Sequence, residues 1–593
     1  MKTSLCLLLA TIACVTGSAA AAQDYRARMP EDEIIYFLLP DRFENGDTAN
    51  DKGRLRGDRL ATGFDPTHKG FFHGGDLKGL TKRLDYIQGL GATAVWLSPI
   101  FKNKPVQGPK GQESAGYHGY WVTDFMTVDP HLGTDADFKA FVDAAHARGM
   151  KVYMDIIANH TADVLYPKEC EGQDRCLYRS IADYPYQRRG GIGGPAINEG
   201  FNGRNFEALK DPNYAYTVTV KPAEKDVKVP AWLNDPIYYH NRGDTTFREE
   251  SSTMGDFVGL DDLFTEHPRV VEGMIEIYGS WIDRFGVDGF RIDTARHVNP
   301  EFWVKFVPAM LERARAKGIP NFHIFGEVAD DSGQPGKLAK HTRRDKLPSV
   351  LDFAFGVTAI KTVSGEWGTE TWREFFAQDV LYEGGEAAAT QLPTFLGNHD
   401  AGRFSTFMRR ALPNVSDAEM LQRVALGHVL MMTARGAPTI YYGDEQGFLG
   451  DGNDQDARED MFASRVAVYN DNKLIASAAT TAQSNFTTGH ALYKLIRELS
   501  DMRKKSEPLR RGATVFRAGS ETPGILALSR LLGDREVLVV ANTSTKPIEA
   551  NVVVETSSQR FTALIGNCPA AASAPGSVRV SLPALGYAVC DAR

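Results

Sequence analysis

The feature that most constrains the fold is a succession of short apolar segments separated by longer stretches of helical periodicity. Amphipathic patterns such as Asp135–Arg148 and His267–Phe285 lie between several of these segments. Strands that alternate with helices predict a parallel sheet covered by helices, and eight strands predict a closed (β/α)8 TIM barrel. The eight predicted strands are Glu33–Phe43, Thr93–Ile100, Lys151–Ile157, Gly289–Ile292, His323–Gly326, Val350–Phe355, Leu392–Leu396 and Pro438–Tyr442.

Two regions interrupt this alternation. Roughly 100 residues rich in Gly, Pro, Tyr and Asn lie between His160 and Asp262, which is too long for a loop and predicts an inserted subdomain after strand 3. After Glu507 short alternating strands predict a C-terminal antiparallel β-sandwich domain. The expected divisions are a signal peptide (1–22), the barrel in two parts (23–160 and 263–507), the inserted subdomain B (161–262) and the C-terminal domain (508–593).

The N-terminal residues indicate export. Lys2 precedes an apolar run from Leu5 to Val15, and small residues lead to Ala22, which is the pattern of a cleaved secretory signal. The run is too short to span a bilayer, and no later segment is apolar enough for a transmembrane helix. Lipid attachment at Cys14 is the weaker alternative. We therefore expect a periplasmic or extracellular protein.

The cysteines agree with export. Four remain after the signal segment, and in an oxidising compartment they are expected to form disulfides. Three connectivities are possible, and proximity in the sequence favours Cys170–Cys176 and Cys568–Cys590. The formal net charge of −8 argues against a protein that binds nucleic-acid phosphates.

Acidic residues follow the predicted strands at the end where barrels carry their chemistry. Asp155, Asp293, Glu327 and Asp400 lie at the ends of strands three, four, five and seven. Any one of them could be a helix cap or a salt-bridge partner, but four on one rim indicate a site. Convergent carboxylates repel, so at least one should keep its proton near neutrality. Glycoside hydrolysis needs this combination of one ionised carboxylate and one protonated acid.

The segments around these residues resemble the α-amylase family of retaining glycoside hydrolases (glycoside hydrolase family 13), including α-amylases and cyclodextrin glycosyltransferases. The matching segments are Gly116–Trp121, Asp155–His160, Gly259–Leu263, Gly289–His297, Phe325–Val328, Phe395–Asp400 and Gly436–Glu445. The resemblance implies that Asp293 is the nucleophile and Glu327 the general acid/base. It implies that Asp400 is a third carboxylate that holds sugar hydroxyls.

The same resemblance implies a set of substrate-binding residues. His160 and His399 match histidines that bind hydroxyls of the sugar at the cleavage point, and Tyr120 matches the aromatic platform beneath it. Trp121 is the neighbour of that platform, with core packing as its alternative role. Arg291 lies two residues before Asp293 on the same face of a strand, so its guanidinium should favour the ionised carboxylate.

The end of the strand-four motif departs from the family pattern. Many amylases and cyclodextrin glycosyltransferases have Lys-His where this chain has Arg296-His297. This position contacts the acceptor side, so hydrolysis and transfer both remain open.

One or two calcium sites are expected. The turn from Asn45 to Asp51 concentrates oxygen ligands of the kind that Ca²⁺ prefers, although alone it could be only a polar turn. It resembles the N-terminal calcium loop of cyclodextrin glycosyltransferases, which implies the ligands Asn45, Asp47, Asn50, Asp51, Gly74 and Asp76. A second family site is matched by Asn159, Asp262 and the carbonyl of His297.

The sequence thus predicts an exported, calcium-binding, monomeric hydrolase of the α-1,4 bonds of starch or maltodextrins. A glucanotransferase and an α-glucosidase or maltodextrin hydrolase with the same site are the alternatives. A non-catalytic glucan-binding subunit is a further class, and the presence of Asp293, Glu327 and Asp400 argues against it.

Overall fold

The computed structural model describes residues 25–173 and 175–593, so the predicted signal peptide lies outside the described residues. Eight parallel strands, named β1 to β8 in chain order, form one sheet in the order β6-β5-β4-β3-β2-β1-β8-β7. A parallel bridge between Asp352 and Thr394 joins its two edges, which confirms the predicted barrel. The strands are Ile35–Leu38, Ala94–Leu97, Lys151–Ile157, Gly289–Asp293, His323–Gly326, Ser349–Val350, Pro393–Phe395 and Ala437–Tyr441.

Helices surround this barrel because their apolar faces pack against the strands. The helix Pro268–Phe285 buries Met274, Ile277 and Trp281, and it ends at Gly286, whose φ of 69° suits glycine. The longer helices are Asp135–Ala147, Pro268–Phe285, Pro300–Ala316, Pro335–Arg343, Phe353–Ser364, Phe404–Ala411, Asp417–Thr433 and Ala491–Lys505. The shorter ones are Arg59–Thr62, Leu77–Lys82, Leu84–Gly89, Ser251–Met254, Thr371–Ala377, Gly385–Ala389, Ala467–Asn470 and Glu507–Arg511. No helix in the described part of the chain is both long and apolar enough to cross a membrane.

Several predicted strands are too long, and two of them extend furthest past the observed ends. The strand predicted over Val350–Phe355 ends at Val350, because the Asp352 side chain accepts a hydrogen bond from the Phe355 N–H (3.0 Å) and caps the next helix. The strand predicted over Glu33–Phe43 covers only Ile35–Leu38, and the turn Pro40–Arg42 follows it. Local capping and turn geometry thus shorten both strands.

The segment after β3 is largely irregular and contains two short strand pairs, one at its boundary with the barrel and one within it. His160–Thr161 pairs with Asp261–Asp262 where the segment leaves and re-enters the barrel, and Tyr166–Pro167 pairs with Val218–Thr219. It has its own small core, centred on Tyr214, and the Cys170–Cys176 disulfide.

The chain ends in two antiparallel sheets packed on each other around a separate apolar core. Their strands are Ala513–Ala518, Ile525–Leu532, Arg535–Asn542, Ile548–Val553, Phe561–Ile565, Ser577–Leu582 and Tyr587–Ala592. The Cys568–Cys590 disulfide lies within this predicted sandwich. Buried Arg530 links it to the barrel by donating to the carbonyl of Thr433 (3.1 Å), at the end of the helix Asp417–Thr433.

Candidate active site

A large cleft lies at the carboxyl ends of the barrel strands, where barrel proteins carry their sites. Its volume is about 1750 Å³. The structure brings six of the predicted residues into its lining: Tyr120, Trp121, His160, Asp293, Glu327 and Asp400.

Arg291 is the centre of the charged residues below this cleft. Its fully buried guanidinium donates through Nη1 to both oxygens of Asp155 (2.9 and 3.0 Å) and to Asp293 Oδ1 (2.9 Å). Its Nη2 lies 3.0 Å from Glu327 Oε1. Arg291 and Asp293 share one face of β4, and Asp155 is the register partner of Arg291 on β3. One cation therefore faces three carboxylates from adjacent strands.

Burial controls the protonation of these acids. It raises the pKa of Asp293 well above its usual value; Arg291 opposes this shift, and the Glu327, Asp155 and Asp400 carboxylates add to it. Burial likewise raises the pKa of Glu327, with Arg291 and the Thr294 N–H opposing and Asp400 adding. The pKa of Asp155 rises to about 7. Arg291 thus favours ionisation as predicted, but it does not outweigh burial, so the group keeps a proton near neutrality.

Asp400 is more open to the cleft, with 46% of its side chain exposed. Arg458 Nη2 donates to Asp400 Oδ1 (2.9 Å) and lies 2.6 Å from Asp454 Oδ1. The same guanidinium donates to Tyr117 Oη (3.2 Å) and to the carbonyl of His399 (3.0 Å). Arg458 is not among the residues predicted from the sequence. The only local indication in the sequence was that Arg458 lies four residues after Asp454, a spacing at which an acid and a base can pair.

Two neutral histidines and an aromatic ring lie beside these carboxylates. Tyr120 Oη donates to Asp155 Oδ2 (3.1 Å) and lies 2.7 Å from His399 Nε2. Burial lowers the pKa of His160 to about 3, and its buried Nε2 has no hydrogen-bond partner in the part of the chain that the structure describes. Burial and the cations of Arg458 and Arg291 lower the pKa of His399. Both imidazoles are therefore uncharged at neutral pH.

Four of the predicted substrate residues are not part of the cleft lining. Arg291 and His399 contact residues that line it, whereas Arg296 and His297 have other partners. Arg296 donates to the carbonyl of Ala329, and His297 Nδ1 lies 2.7 Å from the carbonyl of Ser252. Neither side chain is part of the cleft lining. Their bonds to neighbouring loops explain this position.

The predicted N-terminal calcium turn has features of a cation site. The Oδ1 atoms of Asn45 and Asn50 are buried and have no partner among the described residues. Burial and the neighbouring carboxylates raise the pKa of Asp51 to about 6, although Asn45 Nδ2 donates to its Oδ1 (2.9 Å). Gly74 has φ 99°, and a Cβ there would lie 2.8 Å from Asp51 Oδ1. These four residues fit a calcium ion, because calcium binds oxygen ligands. Buried oxygens that have no partner destabilise the fold, and a bound ion would supply one.

Two other predicted ligands of this site have different partners. Asp76 accepts from the backbone N–H groups of Gly46, Asp47 and Gly79 and from Asn50 Nδ2, so its carboxylate anchors the turn. Asp47 pairs with Lys78 at the surface (2.6 Å). Within residues 25–173 and 175–593, no group of three or more His, Cys, Asp and Glu side chains is arranged to hold a metal.

The second predicted calcium set fits less well. Asp262 Oδ2 lies 2.6 Å from His240 Nδ1, and His240 Nε2 lies 2.9 Å from Glu266 Oε2. The Asp262 carboxylate thus already has a buried partner. Asn159 lies beside His160, with 3.4 Å between the Asn159 Nδ2 and His160 Nδ1 atoms.

The fold and the cleft define a three-part (β/α)8-barrel protein with an acidic site at the carboxyl ends of β3, β4, β5 and β7. The family described as "Alpha amylase, catalytic domain" matches residues 37–512, so the chain belongs to the α-amylase family.

Relatives extend this match over most of the chain. The chain is 44% identical over 543 residues to the α-amylase of Streptomyces lividans, covering 91% of this chain but 58% of the relative. It is 26% identical over 590 residues to the cyclomaltodextrin glucanotransferase of Klebsiella oxytoca, covering 95% of this chain and 78% of the relative.

Solved structures give the same result. An Anoxybacillus α-amylase superposes with a TM-score of 0.69 at 26% identity, over 95% of this chain and 98% of its own. CldA, a cyclomaltodextrin glucanotransferase of three domains, superposes with a TM-score of 0.68 at 25% identity, over 95% and 99%.

Because burial disfavours the ionised form of Glu327, the native protein should bind a proton there more readily than the unfolded chain. This carboxyl therefore costs stability above its native pKa, and the cost disappears as the pH falls towards its unfolded pKa near 4.3. We expect Glu327→Gln to raise the free energy of unfolding at pH 7 by about 1 kcal/mol. Urea unfolding of both proteins at pH 5, 6 and 7 should show the difference shrinking towards acid. A variant that is less stable at pH 7 would contradict the raised pKa.

Proposed function

We propose that the protein is a retaining hydrolase of α-1,4-glucosidic bonds in starch and maltodextrins. The observation that carries the proposal is that Asp293 and Glu327 both form ion pairs with Arg291. Asp293 Oδ1 lies 2.9 Å from Nη1, and Glu327 Oε1 lies 3.0 Å from Nη2. Both carboxyl groups also line the cleft. Retaining enzymes need their two carboxyl groups about 5–5.5 Å apart, because one of them attacks the sugar directly. Inverting enzymes need a wider gap that holds a water molecule.

In the proposed reaction Asp293 attacks the anomeric carbon while Glu327 donates its proton to the departing glycosidic oxygen. The C–O bond to the leaving chain breaks as the bond to the Asp293 carboxylate forms, with inversion at that carbon. Glu327, now ionised, then takes a proton from water, which attacks the same carbon and releases Asp293. Two inversions restore the α configuration.

The other polar groups have separate roles in this proposal. The Asp400 carboxylate, oriented by Arg458, accepts hydrogen bonds from hydroxyls of the sugar at the cleavage point. The free Nε2 of His160 is available for another hydroxyl. Such bonds favour the transition state because they strengthen as the sugar ring gains positive charge. The Tyr120 ring, held by Asp155 and His399, supports the apolar face of the same sugar.

Glucan transfer is the second candidate, because cyclomaltodextrin glucanotransferases are among the relatives in sequence and structure. The two reactions share the glycosyl-enzyme and differ in whether water or a sugar hydroxyl accepts it. An α-glucosidase would use the same residues with a narrower substrate range.

Incubation with maltoheptaose separates these activities. We expect short linear products with release of reducing ends, and we expect Glu327→Gln to lower kcat by at least about 100-fold while it still binds the oligosaccharide. Chromatography of the products and calorimetric titration of the variant provide the measurements. Rings or longer chains would identify a transferase, and glucose alone would identify an α-glucosidase. Full activity in the variant would refute the role of Glu327.

We also propose one structural calcium ion at the turn formed by Asn45, Asn50, Asp51 and Gly74. The unpaired amide oxygens and the buried Asp51 carboxylate support this proposal. A bound calcium would supply charge compensation to these oxygens. The set of Asn159, Asp262 and His297 supports a second ion less well, because His240 already contacts Asp262.

Chelation tests the calcium proposal. An ion that binds only the native state stabilises it, so removal of calcium should lower Tm by a few degrees. Asp51→Asn should show a smaller response to chelator, whereas Asp85→Asn, at an exposed surface pair, should respond as the wild type does. Differential scanning calorimetry with and without EDTA measures the shift. An unchanged Tm after confirmed removal of metal would contradict the proposal.

We also propose that the protein is exported and that it is a monomer. The two disulfides support an oxidising compartment, where such bonds persist. Cleavage after Ala22 would be visible as the N-terminal sequence of the mature protein.

A further inference from the structure

Tyr117 belongs to the segment Gly116–Trp121, yet none of the roles above applies to it. The residue is 2% exposed and is not part of the cleft lining. Its Oη accepts a hydrogen bond from Arg458 Nη1 (3.2 Å). Because Arg458 also donates to Asp400, Tyr117 is separated by a single side chain from a carboxylate of the active site.

The guanidinium of Arg458 has two kinds of partner. Its Nη2 is shared by the carboxylates of Asp400 and Asp454, whose side chains are 46% and 61% exposed. Its Nε and Nη1 instead contact buried groups, which are the carbonyl of His399 (3.0 Å) and Tyr117 Oη (3.2 Å). Exposed side chains change rotamer more freely than buried ones, and a planar guanidinium is fixed once two of its nitrogens have fixed partners. The two buried contacts therefore determine where Nη2 points.

The ring of Tyr117 is itself held in place by Arg42. The guanidinium carbon of Arg42 is fully buried and lies 3.8 Å from the centre of that ring. Arg42 forms an ion pair with buried Asp41 and donates to the carbonyls of Lys69 (2.8 Å) and Phe71 (3.0 Å). A guanidinium stacks favourably on an aromatic face, and these three partners fix it there. The hydroxyl of Tyr117 thus has a defined position.

We propose that Tyr117 is a positioning residue that orients Arg458 and, through it, Asp400. The proposal rests on the proposed glucan hydrolysis, in which the Asp400 carboxylate accepts hydrogen bonds from sugar hydroxyls. Without the Tyr117 hydroxyl the guanidinium can turn about its remaining buried contact with the carbonyl of His399, and Asp400 loses its fixed partner. Because the bonds to the sugar strengthen in the transition state, this change slows the reaction more than it weakens substrate binding.

The test measures kcat and KM on maltoheptaose, together with Tm, for the wild type and four variants. Tyr117→Phe removes only the hydroxyl and keeps the ring on which Arg42 stacks. Arg458→Met removes the group through which Tyr117 acts, so the double variant shows whether the two residues act as one unit. Tyr493→Phe is the matched control, because its buried hydroxyl donates to the carbonyl of Tyr86 (2.9 Å) and lies outside the cleft lining.

We expect Tyr117→Phe to lower kcat about tenfold and to change KM by less than about twofold. In the Arg458→Met background the same substitution should change kcat by less than about twofold, because its partner is already absent. Tyr493→Phe should match the wild type in kcat and KM, even if its Tm falls as far as that of Tyr117→Phe.

Three results would overturn the positioning role and leave glucan hydrolysis standing. They are an unchanged kcat in Tyr117→Phe, a loss that appears only in KM, and a loss of the same size in the Arg458→Met background. A wild type that does not cleave maltoheptaose would overturn the proposed function and the positioning role with it.

Discussion

The site depends on one buried arginine shared by three buried carboxylates. A buried carboxylate without a cation would stay protonated, because ionisation in a region of low polarity costs several kcal/mol. Arg291 compensates part of this cost for Asp155, Asp293 and Glu327, but a single positive charge cannot neutralise three negative ones. The group therefore holds both ionised and protonated carboxyls near neutral pH. Acid–base chemistry at a sugar needs both forms at once.

The barrel supplies the precision of this arrangement. Asp155, Arg291 and Asp293 project from hydrogen-bonded parallel strands, and Glu327 directly follows the neighbouring strand β5, so backbone pairing fixes their separation. Side chains on strands are held more rigidly than side chains on loops. Asp400 lies on a loop and is more exposed, and it depends on Arg458 from another loop for its orientation. The inserted segment adds a second wall to the cleft, joined to the barrel part by the ion pair between Lys104 and Glu224.

Much of the fold could be predicted from the sequence because barrel strands and helices have regular periodicity and a fixed order. The acidic residues at strand ends were visible for the same reason, since each follows an apolar segment. Arg458 was not predicted, because its contact with Asp400 joins two irregular loops 58 residues apart. Similarly, no local pattern relates Lys104 to Glu224.

Side-chain partners were the least predictable feature. Arg296 and His297 follow the strand-four motif, yet they bond to neighbouring loop carbonyls outside the cleft lining. Asp76 follows the Gly-Gly pair expected near calcium, yet its carboxylate accepts four N–H groups and anchors the turn. A motif gives the type of residue at a position, but tertiary packing decides which atoms it contacts. The prediction of a strand through Phe355 was also wrong, because the Asp352 side chain caps a helix that begins at Phe353.

The stereochemistry of the first product tests the central claim most directly. Asp293 and Glu327, both paired with Arg291, are proposed to act on the sugar as nucleophile and acid. If they do, proton NMR of a fresh digest of maltoheptaose should show the α anomer first. The β signal should then grow only at the rate of spontaneous mutarotation. A β anomer at the earliest time points would show a single displacement by water and would contradict the account.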